Sequence, residues 1–296
     1  MNLLIFGFGY SASYFARRRA AMFASVCGTR RDGARAAALA QAGVTGLAFD
    51  GARHDPRLPQ RLAQADALLA SIPPDGAADP ALRVFRAQIA AAPHLQRIVY
   101  LSTIGVYGDH DGAWVDETSA TQPGSARNKA RIGVEQQWLA LGAETGKAVS
   151  VLRLAGIYGP GQSVLEKLRE GSAQRIVKPG QVFNRIHVED IARAIAAALA
   201  PGAPTGIFNV SDDEPAPPQD VMLFAADVLG IDPPPPLDFA TATLSPMARS
   251  FYGENKRVRN ARLKRELGVE LAFPTYREGL QALAAGKTIN RLPGEG

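Results

Sequence analysis

The feature that most constrains the fold of this chain is the alternation of short apolar runs with longer helix-like segments. Each run is continuously apolar, which is typical of strands buried on both faces of a parallel sheet. The segments between them are long enough for parallel connections, so we predict an α/β fold with a doubly wound parallel sheet. The predicted strands are Leu3 to Phe6, Ser25 to Gly28, Leu47 to Phe49, Ala67 to Ala70, Ile98 to Leu101, Val149 to Leu152 and Ile207 to Val210, and the predicted helices between them are 12–20, 34–42, 56–64, 80–91 and 126–144.

The alternation loosens after about residue 160, where the chain becomes richer in Pro, Gly and charged residues. Residues 1–160 are therefore predicted to form a core domain to which residues 183–211 return. A smaller C-terminal substrate lobe would be built from the inserted segments 161–182 and 212–296. Because the chain would cross between the two parts, we expect a ligand cleft between them.

Composition excludes several classes of protein. The chain has 296 residues, a formal net charge of +5 and a single cysteine, Cys27, so neither an intrachain disulfide nor a cysteine-based zinc site can form. The N-terminal apolar run stops at Gly7, too early for a signal peptide or a membrane helix. We expect a cytoplasmic protein without a metal site or a membrane partner, and the basic balance favours an anionic ligand.

A glycine-rich loop follows the first predicted strand directly. It reads Gly7-Phe8-Gly9-Tyr10-Ser11-Ala12, a GxGxxA pattern with alanine at the third small position. The first glycine permits a tight turn, the second lets the backbone approach a pyrophosphate, and Ala12 lets the helix pack on the strand. The N–H groups at the helix N-terminus, including those of Tyr10 and Ser11, would then face the phosphates. The loop predicts dinucleotide binding on a Rossmann-type sheet.

The end of the second strand predicts NADP rather than NAD. An acidic residue that would bind the ribose 2′-hydroxyl of NAD is missing there, and Thr29, Arg30 and Arg31 follow Gly28 instead. Two guanidiniums suit a 2′-phosphate; the alternative is that both form a solvated loop face. Asp50, after the third strand, is placed either to meet the adenine amino group or to cap a turn or helix.

Five motifs resemble the extended short-chain dehydrogenases/reductases, in the nucleotide-sugar epimerase and dehydratase branch. They occur in the family's order and at roughly its spacings, so the resemblance covers nearly the whole chain. The motifs are Leu101-Ser102-Thr103-Ile104-Gly105-Val106-Tyr107-Gly108, Val115-Asp116-Glu117-Thr118 leading to Pro123, Leu152-Arg153 through Ile157-Tyr158-Gly159-Pro160-Gly161, Arg185-Ile186-His187-Val188-Glu189-Asp190-Ile191-Ala192, and Phe208-Asn209-Val210-Ser211-Asp212.

The resemblance implies roles for residues at the end of the fifth strand. Thr103 occupies the position of the hydroxyl that hydrogen-bonds the reacting group of the substrate. In the alternative interpretation, its hydroxyl only hydrogen-bonds backbone groups at the end of the strand. Tyr107 would face the substrate cleft. The proton donor would be either Tyr107 or a water. Ser102 would lie nearer the nicotinamide, and Ser71 is a further candidate for cofactor binding.

The family's acid/base pair, Tyr-x-x-x-Lys, is missing from the following helix. The register anchored on Glu135 places Arg127 at the tyrosine and Arg131 at the lysine, whereas a second register places Ser125 and Lys129 there. A guanidinium stays protonated at any usable pH and cannot act as an ordinary general acid. Arg131 would therefore hold ribose or phosphate, and Arg127 would polarise a carbonyl or clamp an anionic substrate.

The second lobe also departs from the family. The arginine often found five residues before the valine of the His-Val-x-Asp step is replaced by Phe183, which argues against a nucleotide-sugar substrate. His187 reads as a packed structural residue. The basic stretch 249–265 is interpreted as a solvated helix face or as a lid over an anionic substrate. Nucleic-acid binding is the hypothesis that the stretch favours least. The substrate-binding candidates are Arg185, Tyr158, Lys256 and Arg257.

These observations predict an NADP-dependent oxidoreductase or epimerase acting on a small polar, anionic substrate. The rival hypothesis is a non-catalytic NADP(H)-binding sensor or regulator, which would keep the glycine loop and the arginines while losing the acid/base pair. The resemblance implies a homodimer, and we expect no nucleic-acid partner.

Overall fold

A parallel seven-stranded sheet forms the centre of the protein. The computed structural model describes residues 1–286, and all seven predicted strands are present in it within a few residues of their predicted ends. The predicted fold class is therefore confirmed. The strands are β1 (Asn2–Phe6), β2 (Ser25–Arg30), β3 (Thr45–Ala48), β4 (Ala67–Ala70), β5 (Arg97–Thr103), β6 (Trp114–Val115), β7 (Ala148–Leu154), β8 (Gly156–Tyr158), β9 (Arg175–Val177), β10 (Arg185–His187), β11 (Gly206–Val210), β12 (Pro236–Asp238) and β13 (Arg257–Val258).

The strand order of the central sheet is β11-β7-β5-β4-β1-β2-β3. The order reverses at β1, so the glycine loop that follows β1 lies at the switch point where open α/β sheets bind ligands. The remaining strands form short parallel pairs, β8 with β10, β9 with β12 and β6 with β13. The helices are α1 (Tyr10–Arg18), α2 (Gly33–Ala37), α3 (Leu58–Ala63), α4 (Pro80–Ala91), α5 (Ala126–Thr145), α6 (Val164–Arg169), α7 (Val188–Leu199), α8 (Pro218–Leu229), α9 (Pro246–Phe251), α10 (Ala261–Arg265) and α11 (Tyr276–Ala284).

Both faces of the sheet are covered, as its continuous apolar strands require. Leu3 and Ile5 of β1 point to the face packed by α1 and α7, whereas Leu4 and Phe6 point to the face packed by α3, α4 and α5. This division follows from the two-residue period of a strand. One predicted helix differs, because 34–42 is α2 followed by a 3-10 segment that ends at Gly43 in the left-handed region, with φ of +69°.

A second hydrophobic cluster lies beyond the sheet and is formed mainly by α6, α8 and α11 with Tyr158. These helices come from the predicted inserted segments. The predicted assignment of the whole segment 212–296 to the second lobe differs from the structure. Arg257 of β13 pairs with Trp114 of β6, and Leu263, Leu267 and Val269 pack in the core of the sheet. Residues 257–269 thus pack on the core domain, since their apolar side chains cover β11 and its neighbours. Residues 287–296 of the predicted lobe lie outside the described residues.

Every helix within residues 1–286 is too short or too polar to cross a bilayer.

Candidate active site

The glycine loop has the geometry that a phosphate site requires. Gly7 has φ of +88°, and its N–H donates to the Thr29 hydroxyl at 2.9 Å, so Thr29 shapes the loop. Gly9 is the N-cap of α1 and makes no side-chain cap, which leaves the first N–H groups of the helix to another acceptor. A Cβ at Gly9 would meet no atom within 4 Å, so the backbone borders open space.

The other loop residues have distinct roles. Ser11 and Ala12 are buried, and Ala12 packs in the core between α1 and the sheet. Tyr10 reaches across to the segment after β8, where its hydroxyl donates to the Pro160 carbonyl at 3.1 Å. Burial raises the pKa of Tyr10 to about 12, so the hydroxyl keeps its proton. This hydrogen bond connects the glycine loop to the segment that follows β8.

Arg30 and Arg31 lie at the end of β2, as expected. Arg30 is partly buried, and its Nε is buried without a hydrogen-bond partner, while Arg31 is exposed. Asp50 caps its own turn by accepting from the N–H groups of Ala52 and Arg53, at 2.9 and 2.7 Å. This contact favours the turn role for Asp50 over adenine recognition. Ser71 is partly buried, and its N–H donates to the Phe6 carbonyl beside the glycine loop.

A cavity of about 730 Å³ lies between the carboxyl ends of β5 and β7 and the second lobe. Its lining comes from β5, the N-terminus of α5, the segment after β7, β10 and the residues around α9. Among the predicted site residues, Thr103, Arg127, Tyr158, Arg185 and Lys256 line it. The walls are mostly aliphatic and aromatic, which differs from the polar substrate expected from the sequence.

Thr103 is at the base of the cavity, at the C-terminal end of β5. Its hydroxyl accepts from the Gly105 N–H at 3.1 Å, which fixes the oxygen and directs the hydroxyl proton elsewhere. Ser102 points the other way. It is buried and donates to Glu135 Oε1 at 2.5 Å, and Glu135 is in turn paired with Arg153 at 2.7 Å. Neighbouring strand residues thus divide between the cavity and a buried ion pair.

The prediction that Tyr107 faces the cleft is wrong. A 3-10 turn over Ile104–Tyr107 carries the chain away from the cavity and packs Tyr107 in a cluster with Val115 and Val258. Tyr107 is fully buried, its hydroxyl donates to Asn209 Oδ1 at 2.7 Å, and burial raises its pKa. It is therefore unsuited to donate a proton to a substrate in this cavity.

The two arginines at the positions of the acid/base pair lie in different places: Arg127 lines the cavity and Arg131 does not. Arg127 is exposed on the cavity lining, with its guanidinium 5.7 Å from the ring centroid of Phe251. Arg131 instead donates to the Leu101 carbonyl at 2.7 Å and to the Tyr100 hydroxyl at 3.1 Å. Arg131 thus holds the C-terminal end of β5 through these two hydrogen bonds and is not part of the cavity lining.

Three of the four predicted substrate-binding residues line the cavity, and Arg257 does not. Arg185 is partly buried on the cavity wall, whereas the Tyr158 hydroxyl packs so closely on α11 that a Cβ at Gly279 would lie 2.0 Å from it. Lys256 is buried, and its ammonium donates to the Gly108 carbonyl and to Glu254. Arg257 bonds to the Gly112 carbonyl away from the cavity, so its predicted role is wrong in this structure.

The basic stretch 249–265 is neither one helix face nor one lid. It is divided among α9, β13 and α10, and several of its charges are paired locally: Arg262 with Glu266 at 2.7 Å, and Lys264 with Asp213 at 2.6 Å. Only its first part, around α9 and up to Lys256, borders the cavity.

Sequence reasoning missed Glu254 and Asn128. Asn128, in the first turn of α5, donates to Glu254 Oε1 at 3.3 Å, and Glu254 Oε2 accepts from Lys256 at 2.8 Å. Gly105 makes room for this contact, because a Cβ there would lie 2.7 Å from Asn128 Nδ2. The available signal was that Glu254 is the lone acid within the basic stretch.

Comparisons with known proteins agree with this architecture. The model of the NAD dependent epimerase/dehydratase family matches residues 80–211. A functionally unknown conserved protein from Silicibacter pomeroyi DSS is 47% identical, with a TM-score of 0.86 over 97% of this chain and 99% of that chain.

Two further proteins are more distant. Protein YeeZ of Escherichia coli (strain K12) is 31% identical over 202 residues, which span 62% of this chain and 61% of YeeZ. The human epimerase family protein SDR39U1, solved with NADPH, has a TM-score of 0.75 at 19% identity, over 96% of this chain and 99% of that chain. At that identity the similarity concerns the fold alone.

Proposed function

Because the chain belongs to the NAD-dependent epimerase/dehydratase family of extended short-chain dehydrogenases/reductases, we propose that it is an NADP-dependent oxidoreductase or epimerase-like enzyme acting on a small anionic substrate. Members of this family bind NAD or NADP. The observation that carries the proposal is the arrangement of the Gly7–Ala12 loop and the Thr103 cavity on the same edge of the sheet. The core and second lobe predicted from sequence are proposed to bind cofactor and substrate, in a cytoplasmic homodimer.

The residues fit a dinucleotide. Gly9 borders open space at an uncapped helix N-terminus, where N–H groups and the helix dipole favour a pyrophosphate. The buried Nε of Arg30 has no partner, and an anion at the end of β2 would satisfy it. Arg30 and Arg31 together are proposed to hold a 2′-phosphate.

The chemistry assigned to the chain is positioning and electrostatic support. When bound, the nicotinamide cofactor supplies or accepts hydride. The Thr103 hydroxyl donates a hydrogen bond to the reacting oxygen, and the exposed Arg127 guanidinium stabilises negative charge on the cavity lining. With Tyr107 buried, a water is the proposed proton donor.

Cofactor preference gives the first test. We expect NADPH to bind at least tenfold tighter than NADH, measured by calorimetric titration of the full chain. Arg30→Ala and Arg31→Ala should each weaken NADPH about 10- to 100-fold, because a charge-assisted hydrogen bond contributes about 1.5–3 kcal/mol. Their NADH affinities should stay near that of the unmodified chain.

A matched control is Arg35→Ala. Arg35 is exposed on α2, where it pairs with Asp32, and it should leave NADPH affinity unchanged. Equal affinities for the two cofactors, tighter NADH, or a parallel loss of NADH in the arginine variants would contradict the NADP assignment.

One observation favours a second candidate, a non-catalytic NADP(H)-binding sensor. Tyr107 is buried and hydrogen-bonded, and Arg127 cannot release a proton, so neither is a conventional acid/base group. This candidate predicts tight NADPH binding with no turnover of keto-acids, aldehydes or nucleotide sugars.

A further inference from the structure

The charges on the cavity lining do not balance. Three cations line it, Arg127, Arg185 and Lys256, against one acid, Glu254. Lys256 is already neutralised, since its ammonium is 2.8 Å from Glu254 Oε2. Within residues 1–286, no carboxylate lies within 4.0 Å of either guanidinium. The cavity lining therefore carries two guanidiniums without a direct carboxylate partner in that part of the chain.

The two guanidiniums differ in how well water can stabilise them. Arg127 is exposed at the mouth, where solvation offsets its charge. Arg185 is partly buried, and burial lowers its pKa. Its Nη1 donates to the carbonyls of Phe183 and Ala216 at 3.0 and 3.2 Å, and the guanidinium lies 5.8 Å from the ring centroid of Tyr276.

Asp212, next to Arg185, interacts with it electrostatically but does not contact its guanidinium in a direct ion pair. The Asp212 N–H donates to the Arg185 carbonyl at 2.7 Å, but the two side chains form no ion pair in the described part of the chain. The Asp212 Oδ2 is buried without a partner, and burial raises the pKa of this carboxyl to about 8. Because the recorded hydrogen bonds of the Arg185 guanidinium go only to backbone carbonyls, a bound anion would be its first direct ionic partner among the described residues. A planar guanidinium matches a carboxylate geometrically.

Several polar side chains of the lining are already engaged within the protein. Asn128 is bonded to Glu254, Asn184 bridges the backbone of Lys256 and Val258, and Ser250 donates to the Met247 carbonyl. Most of the remaining wall is apolar. It includes Ile104, Leu154, Ile157, Val182, Phe183 and Phe251.

We propose that this cavity binds an aromatic monocarboxylate, with its carboxylate on Arg185 and its apolar body against the wall. The binding site stands on the cavity alone, whereas its identity as the substrate site rests on the proposed function. The volume of about 730 Å³ accommodates such a ligand. A sugar would leave its hydroxyls without partners on the apolar wall.

Calorimetric titration with defined probes tests the site. The probes are benzoate, phenylacetate and 3-phenylpropanoate, each paired with its neutral amide, added to the full chain with and without saturating NADP⁺. At least one carboxylate should bind at least tenfold tighter than its amide. This comparison uses the unmodified chain and does not depend on any variant folding.

Variants then locate the anion. Arg185→Met should abolish the preference for carboxylate over amide, and Arg185→Lys should retain part of it, because the charge remains but the bidentate fork is lost. Arg169→Met is the matched control, since Arg169 is exposed on α6 in the same lobe and lies outside the cavity lining. It should preserve the full preference.

The outcomes separate this proposal from the proposed function. Equal binding of carboxylates and amides, absence of binding for all three acids, or an unchanged preference in Arg185→Met would overturn the carboxylate site. NADPH binding in the same preparations would still support the cofactor proposal. Conversely, selective carboxylate binding by a chain that fails to bind NADPH would leave the site in place and remove its assignment as a dehydrogenase substrate site.

Discussion

Replacing Arg153 with Met is expected to lower the free energy of unfolding by about 3–5 kcal/mol, because it leaves a buried carboxylate without its partner. Arg153 and Glu135 are almost fully buried, and their side chains meet through three hydrogen bonds of 2.7 to 3.2 Å. The Arg153 guanidinium also lies 4.9 Å from the ring centroid of Tyr107. The measurement is urea unfolding at neutral pH, followed by circular dichroism.

The double variant Arg153→Met with Glu135→Leu is the control. Removing both charges replaces the ion pair with apolar groups, so most of the lost stability should return. The remaining deficit should be about 1 kcal/mol, for the Ser102 hydroxyl that loses its acceptor. If the double variant is as unstable as the single one, packing rather than the unpaired charge determines the cost.

Thr103→Ala is expected to lower turnover about 100- to 1,000-fold, the usual effect of removing one hydrogen-bond donor from a developing oxyanion. The substrate is any compound turned over with NADPH in a panel of keto-acids, aldehydes, nucleotide sugars and aromatic carboxylates bearing a carbonyl group. NADPH affinity should change less than threefold, because Thr103 lies on the cavity rather than on the glycine loop.

Thr103→Ser separates the chemical role from the structural one. Serine retains both the donor and the acceptor for the Gly105 N–H, so it should keep turnover within a few-fold of the unmodified chain. A similar loss in both variants would assign the effect to packing of the γ-methyl group. Tight NADPH binding without turnover on the whole panel would refute the enzyme hypothesis and favour the sensor.

The sheet could be predicted from sequence because its signal is local. A run such as Ala67–Ala70 is apolar on both faces, and only a central parallel strand needs that pattern. The glycine loop is equally local, since the turn, the strand before it and the helix after it are contiguous. Local patterns of this kind survive folding unchanged.

The cavity could not be predicted in the same way because its walls come from distant segments. The position of Tyr107 depended on the direction of one 3-10 turn, and motif spacing leaves that direction open. Glu254 meets Asn128 only after a long excursion of the chain through the second lobe. The Glu135–Arg153 ion pair could not be predicted either, because the two residues lie on different elements and only the fold brings their side chains together.

The pairing of β13 with β6 has a consequence for the order in which the protein matures. Domains form as the chain emerges from the ribosome, N-terminal part first. The last strand of the central sheet is complete at Val210, but the cavity wall needs residues 248–256, and β13 follows directly. The nucleotide loop can therefore form on a nascent chain whose substrate cavity is still open. A chain that ends before residue 248 would keep all seven strands of the sheet but would lack both this wall and the apolar residues Leu263, Leu267 and Val269 that pack on the sheet.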